Sequence, residues 1–267
     1  MFNRYYNLSF NPFDKTIPSK YAHNTKDFKA LASRMDHITE QGGIGLMCAA
    51  PGFGKTFAMR AWAEKLNKNR THFSYVCLST ISTMEFYRTC CHEMGLDPSH
   101  RKVDMFRAIQ EHLSYSAAEK GLKTVIVLDE AQYLKADILR DLKLLTNFQM
   151  DSRNYLTLIL MGQPMLVDVL SRPAHEALRQ RIVVNYTFQG LSLQEAPDYC
   201  FALIRSAGAS PDILDTAAIQ SAHGISAGSI RRFNSIISSA LTIGAQHEAP
   251  SISAEMVQSA SDGLNIR

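Results

Sequence analysis

Ala49-Ala50-Pro51-Gly52-Phe53-Gly54-Lys55-Thr56 is the stretch that decides the fold. The apolar run Ile44-Gly45-Leu46-Met47-Cys48 precedes it, and a helix-like run from Phe57 to Leu66 follows. Strand, tight loop, helix is the context in which backbone wraps a phosphate. A helix N-terminus offers unpaired N–H groups and positive dipole charge, so it holds an anion. Gly52 and Gly54 leave no Cβ in the way, Lys55 reaches the β and γ phosphates, and the Thr56 hydroxyl is a ligand for Mg²⁺. Pro51, Gly52, Phe53, Gly54, Lys55, Thr56 and Phe57 are therefore the candidate nucleotide-binding residues. In the usual pattern, G-x-x-x-x-G-K-[ST], the first position is glycine; here it is Ala49, a departure at a position that often needs unusual dihedral angles.

A second motif points the same way. Lys123-Thr124-Val125-Ile126-Val127-Leu128-Asp129-Glu130 reads as a buried parallel strand ending in two carboxylates. Asp129 at its carboxyl end suits the Mg²⁺ shell, and Glu130 beside it suits polarisation of the water that attacks a γ-phosphate.

Composition sets the outer bounds. The chain has 267 residues, 46% hydrophobic and 20% charged, ordinary for a globular protein with room for one large or two modest domains. A net charge of +3 permits nucleic-acid binding without indicating it. The five cysteines, Cys48, Cys77, Cys90, Cys91 and Cys200, include no C-x-x-C pair and read as reduced, partly buried thiols of a cytoplasmic protein. No apolar run approaches the ~18 residues that span a bilayer, and the N-terminus has no signal-peptide core, so no membrane partner is expected.

Strand patterns fall at 44–48, 73–78, 124–129, 155–161 and 182–188. Helical patterns fall at 25–41, 55–67, 84–94, 103–120, 135–148 and 165–170. This alternation predicts an α/β fold, a five-stranded parallel sheet with helices on both faces, whose ligands bind beyond the strands' carboxyl ends. From Ser192 the strand signal stops, and 192–207, 212–222, 229–245 and 253–261 read as four helices of a small all-α lid. Ser192, with Glu195 three residues on, is the expected capping box of the first. The predicted division is an aromatic, turn-rich arm at 1–25 packed on the main domain, a nucleotide-binding domain at 26–190, and the lid at 191–267.

This plan resembles that of the AAA+ ATPases over nearly the whole chain. The resemblance implies ATP with Mg²⁺, and further site residues position by position. Gln163, at the end of Leu158-Ile159-Leu160-Met161-Gly162-Gln163-Pro164, corresponds to the polar residue that senses the γ-phosphate. In Leu178-Arg179-Gln180-Arg181-Ile182, Arg181 is favoured over Arg179 as the arginine that completes a neighbour's site in trans. In Gly228-Ser229-Ile230-Arg231-Arg232-Phe233, Arg231, with Arg232 as the alternate, corresponds to the lid arginine that reaches the phosphates. Cations at a helix start oppose the helix dipole, which favours a functional reason for them.

Within AAA+, the chain resembles the ExeA-like and TniB/TnsC-like group. The residues that carry this are Tyr6-Asn7-Leu8-Ser9-Phe10-Asn11-Pro12-Phe13, Leu128-Asp129-Glu130-Ala131-Gln132, the run ending in Gln163-Pro164, and Leu178-Arg179-Gln180-Arg181. One branch comprises secretion-associated ATPases with a membrane span and a peptidoglycan-binding region after the ATPase domain; neither is read in residues 1–267, so that branch is the less expected. The other comprises regulators of DNA transposition, including relatives of the phage MuB protein. That branch implies rings or helical filaments on duplex DNA, a DDE-type transposase as partner and a target-selector protein as a further one. Thr83, Arg88, Arg101 and Lys102 are the candidate phosphate-backbone contacts. Phe13 has two readings, a wall of the adenine pocket or a hydrophobic staple closing the domain. The expected function is ATP-dependent regulation of transposition; the alternatives are a secretion or envelope-assembly ATPase and a DNA-independent nucleotide switch.

Overall fold

The computed structural model describes residues 2–21, 23–77, 81–150 and 152–264. In chain order they form α1 (Phe2–Tyr5), α2 (Lys26–Gln41), β1 (Gly43–Cys48), α3 (Lys55–Ala63), β2 (Thr71–Cys77), α4 (Thr83–Glu93), α5 (Lys102–Lys120), β3 (Lys123–Asp129), α6 (Ala136–Leu145), β4 (Leu156–Gly162), α7 (Met165–Leu170), α8 (Glu176–Arg179) and β5 (Ile182–Thr187). Four helices follow: α9 (Ala196–Ser206), α10 (Thr216–Ser226), α11 (Ile230–Gln246) and α12 (Ala254–Leu264). These residues divide into two compact units.

One unit, Leu31–Cys48 with Lys65–Thr187, holds the sheet. Its five strands are parallel in the order β2-β3-β4-β1-β5. Side chains alternate across a strand, so a sheet covered twice needs apolar residues at both parities. Leu46, Ile126, Leu128, Leu158 and Leu160 enter a core with Phe86, Tyr87, Met105, Ile109, Ile138 and Leu142 from α4, α5 and α6. Residues of the other parity, Met47, Val125, Val127, Ile159 and Met161, are buried as well. On that face α2 comes close: a Cβ on Gly45 would lie 3.1 Å from Ile38 Cδ1, and the Thr157 hydroxyl donates to the Ile38 carbonyl at 3.2 Å. The register sets Cys48 opposite Gly162 and Cys77 opposite Asp129, so the strands' carboxyl ends form one edge.

The other unit, Met1–Ala30, Ala49–Glu64 and Phe188–Arg267, is helical. Its core joins Phe233, Ile236, Ile237 and Leu241 of α11 to Ile204 of α9, Ile219 of α10 and Val257 of α12. The arm is part of that core. Tyr6, Leu8, Phe13 and Ile17 are buried in it, and the Tyr6 hydroxyl donates to the Ala249 carbonyl at 2.9 Å. The arm also meets α3, through Ser19 to Glu64 and through Arg60, which donates to the Ile17 carbonyl at 3.5 Å. The arm expected to pack on the main domain thus touches α3 of that domain and is also buried among the lid helices, since aromatic spacing says that a segment packs but not on what. Asp27, 5% exposed in the first turn of α2, accepts the N–H groups of Gln189 (3.0 Å) and Gly190 (2.8 Å) and fixes the segment before α9.

Element boundaries moved where side chains make turns. The helix expected to run to Asn67 ends at Ala63; the Asn67 side chain accepts the Asn69 N–H (2.9 Å) and its carbonyl those of Arg70 and Thr71 (2.9 Å each), a turn into β2. The lid helix expected from Asp212 starts at Thr216, where Asp215 accepts the Ala217 N–H, and Pro211–Ile213 form a separate short turn of helix. Ser192 and Glu195 do bond reciprocally, but α9 begins after them and Glu195 also accepts the Lys26 N–H at 2.8 Å. The four-residue helix α8 was not foreseen, and Leu78, the expected end of β2, lies outside the described residues. No helix among the described residues is long and apolar enough to cross a membrane.

Cys48, Cys90, Cys91 and Cys200 are buried and Cys77 is exposed. Burial pushes the Cys90 thiol up to about 12, with Cys91 and Glu93 adding to the shift. A raised pKa keeps the unreactive protonated form. Ellman's reagent at pH 8 is therefore expected to titrate one thiol in the native protein and all five after denaturation; prompt reaction of more than one would contradict this packing.

Candidate nucleotide site

The helical unit carries the phosphate loop. The chain leaves β1 at Cys48 and turns through 49–54, with the Phe53 N–H on the Ala50 carbonyl at 3.2 Å. Gly52 and Gly54 adopt φ of +83° and +87°, the left-handed region that a side chain opposes. Gly54 is the N-cap of α3, which puts Lys55, Thr56 and Phe57 in its first turn. Ala49, where the usual pattern has glycine, is not among the positive-φ residues, so alanine brings no backbone strain there. Lys55 is 8% exposed and Thr56 exposed.

The start of α11 closes on this loop. The Arg231 N–H donates to the Gly52 carbonyl at 3.0 Å. A Cβ on Gly52 would stand 2.4 Å from Ser229 Oγ and 3.1 Å from Arg231 Cβ, and one on Gly54 would stand 3.1 Å from Ile230 Cδ1. Ala227 and Gly228, both left-handed at φ 50° and 81°, deliver Ser229 to the N-cap, where its hydroxyl accepts the Arg232 N–H at 3.4 Å. The Phe53 ring is 2.8 Å from where a Cβ of Gly190 would be. Loop N–H groups, the start of α3 and the exposed side chains of Arg231 and Arg232 thus belong to one unit. The glycine dihedrals and the lysine in the first turn of α3 fit a nucleotide's phosphates. Phe13 is buried at 4% in the helical core, and Phe57 is half-buried beneath Arg60, whose guanidinium is 5.1 Å from its ring centre.

The sheet unit carries the acidic edge. Asp129 is 3% exposed; its Oδ1 accepts the Glu130 N–H at 2.8 Å, and its Oδ2 accepts the hydroxyl of Tyr75 on β2. Glu130 is left-handed at φ 55°. One of its carboxylate oxygens accepts from Gln132 Nε2 at 2.7 Å and from Gln163 Nε2 at 3.5 Å. Asp129, Glu130 and Gln163, chosen from sequence, therefore meet at the ends of β3 and β4. A buried carboxylate such as Asp129 is a donor of the kind Mg²⁺ takes. Tyr75 and Gln132 had no assigned role in the sequence reading. Gln132 stood in the quoted Asp129-Glu130-Ala131-Gln132 run, the only signal that pointed to it.

The remaining candidates also lie in the sheet unit. Arg179 is exposed at the end of α8 and donates to the Ser171 carbonyl at 3.2 Å; Arg181 is half-buried and donates to the Lys143 carbonyl at 3.2 Å. Thr83 opens α4 behind a Ser82–Glu85 capping box, and Arg88 is exposed on the same helix. Arg101 is exposed before α5, 3.9 Å from Asp104. Lys102 is engaged: its ammonium is 2.6 Å from Asp141, which also accepts the hydroxyl of the buried Tyr87 at 3.2 Å.

Comparison with known proteins places these features. Residues 38–170 match the family described as AAA domain. General secretion pathway protein A of Aeromonas hydrophila is 30% identical over 244 residues, 90% of this chain and 44% of that protein. The ATP-dependent target DNA activator B of Escherichia phage Mu is 29% identical over 139 residues, 52% of this chain and 40% of that protein. The chain thus spans less than half the length of each of these curated relatives. Among solved structures, Cdc6p from Pyrobaculum aerophilum superposes with a TM-score of 0.71 at 16% identity, covering 96% of this chain and 72% of that one. The Thermotoga maritima RuvB branch migration motor gives 0.58 at 16%, covering 96% and 74%. The chain is an AAA+ P-loop protein. Within that class it belongs with the group that includes secretion protein A and the phage target DNA activators.

Gly52→Ala is expected to lower stability by about 1–2 kcal/mol from the dihedral alone, with a further loss from the contact with Ser229. Adding Ser229→Gly recovers the second part and not the first. Urea denaturation of the two variants measures the difference; identical loss in both would place Ser229 elsewhere.

Proposed function

We propose that this protein is an ATP-dependent, DNA-binding ATPase that assembles on duplex DNA as a ring or helical filament and regulates transposition through a DDE-type transposase, with a target-selector protein as a further partner. The observation that carries the ATPase part is the meeting of Asp129, Glu130 and Gln163 at one sheet edge in a chain that also has the glycine-cradled loop. The relatives named as target DNA activators support the DNA part. So do Arg88 and Arg101, exposed on and beside neighbouring helices of one unit.

In this reading the N–H groups of Gly52 to Phe57 and the Lys55 ammonium hold the phosphates, and Thr56 and Asp129 hold Mg²⁺. Bound there, Mg²⁺ neutralises charge that builds on the phosphate oxygens. Glu130 takes the proton of the attacking water, and Gln163 orients that water. Arg231, or Arg232 beside it, steadies the phosphates from the lid. Arg181 of a neighbouring protomer, or Arg179, stabilises the transition state, which ties turnover to assembly. Arg88, Arg101 and Thr83 contact the DNA backbone, and Lys102 contributes only by leaving Asp141. The second reading, an ATPase of secretion or envelope assembly acting on proteins, is favoured by the match to secretion protein A over 90% of the chain.

Sedimentation and negative-stain imaging with duplex DNA and a slowly hydrolysed ATP analogue separate the two. Assemblies that need both DNA and nucleotide support the transposition reading; assembly indifferent to DNA supports the other. Lys55→Ala is expected to prevent assembly, whereas Glu130→Gln traps it in the ATP-bound state with turnover reduced about 100-fold or more. Arg101→Ala is expected to weaken DNA binding and lower its salt slope by about 1; an unchanged slope removes Arg101 from the interface.

A further inference from the structure

Gln132 is 6% exposed, and both ends of its amide are used. Nε2 donates to a Glu130 carboxylate oxygen at 2.7 Å, and Oε1 accepts the backbone N–H of Gln163 at 3.1 Å. A carboxylate only accepts and a backbone N–H only donates, so a single orientation of the amide satisfies both neighbours. The bridge crosses from the end of β3 to the end of β4. Two backbone features permit it. Glu130 at φ 55° reverses the chain after β3 and brings Gln132 back under the edge. Gly162 leaves the space that the amide occupies: a Cβ there would stand 2.5 Å from Gln132 Oε1.

We propose that Gln132 is a positioning residue that holds the Glu130 carboxylate and links it to the residue contacting the γ-phosphate, Gln163. This rests on the reading of Glu130 as the base. Glu130 is then held by two amides, one of which is bonded to the backbone of the other's residue, so a displacement of Gln163 is passed to Glu130 through Gln132. The amide supplies a donor and an acceptor together, which many side chains lack. Glutamate sets a second negative charge against Glu130, lysine has no acceptor for the Gln163 N–H, and leucine has neither group.

The test uses the full chain and four variants, Glu130→Gln, Gln132→Leu, Gln132→Glu and the double variant Glu130→Gln/Gln132→Leu. ATP turnover gives kcat and KM, and a fluorescent ATP analogue gives nucleotide affinity. Gln132→Glu preserves size and the acceptor, so it reports should Gln132→Leu fold poorly. Each single Gln132 variant is expected to lower kcat about 10-fold or more with KM and affinity changed less than about twofold, the pattern of an interaction that matters only in the chemical step. In the Glu130→Gln background the same leucine substitution is expected to change the residual rate less than about twofold, because residues that act as a unit are not additive. Wild-type kcat in both Gln132 variants overturns the proposal, as does an equal loss with and without Glu130. Failure of the base assignment has a different signature: Glu130→Gln itself then turns over at the wild-type rate, and the positioning role falls with it.

Discussion

The parallel pairing of β3 with β4 is the constraint on which the acidic edge depends. In a parallel ladder both strands present their carboxyl ends on the same side, so the residues just past them face one another without any loop being built for the purpose. Leu128 lies opposite Leu160, which sets Asp129 and Glu130 one step from Gly162 and Gln163. The neighbouring β2 adds Tyr75, whose hydroxyl reaches Asp129 from the far side. Three consecutive strands thus bring Tyr75, Asp129, Glu130 and Gln163 to the edge, while the apolar residues below them hold the strands in register. A one-residue slip of β4 would move Gln163 away and turn its buried leucines to the wrong face.

At the edge, local backbone choices do what register cannot. Asp129 turns one oxygen on the next residue's N–H and so offers the other outward to Tyr75. Glu130, in a conformation that non-glycine residues seldom adopt, aims its side chain back along the edge. Such a residue persists only when its surroundings over-determine it. Here they do: Glu130 bonds through its backbone to Asp129 and through its carboxylate to two glutamines. In the helical unit the same work falls to glycine, since Gly52, Gly54 and Gly228 bend the backbone where a side chain would meet Ser229, Ile230 or the Leu191 carbonyl.

Much of this was legible in the sequence. Apolar runs located every strand to within about two residues, most firmly the central β1, β3 and β4, which are buried on both faces. Asp129 and Gln163 stand at the ends of β3 and β4, and Lys55 and Arg231 at the starts of α3 and α11. What escaped was set by contacts between distant positions. The partner of Lys102 is Asp141, on another helix and beneath a tyrosine, and nothing near Lys102 announces it. The arm's membership of the helical core depends on α11 and on Ala249, more than two hundred residues away. The role of Gln132 hangs on the left-handed turn at Glu130, and a glutamate carries no local sign that it will adopt one.

The engagement of Lys102 ties α4, α5 and α6 together. Asp141 is 8% exposed and takes one bond from Tyr87 of α4 and one from Lys102 of α5 while standing on α6. Removing a partner from a carboxylate so placed leaves charge without compensation, whereas a lysine that swings out to solvent gains little in return. The three helices are therefore tied together at their polar side as well as through their shared apolar core. The helix that follows the acidic edge, α6, also supplies at its C-terminal end the Lys143 carbonyl on which Arg181 rests.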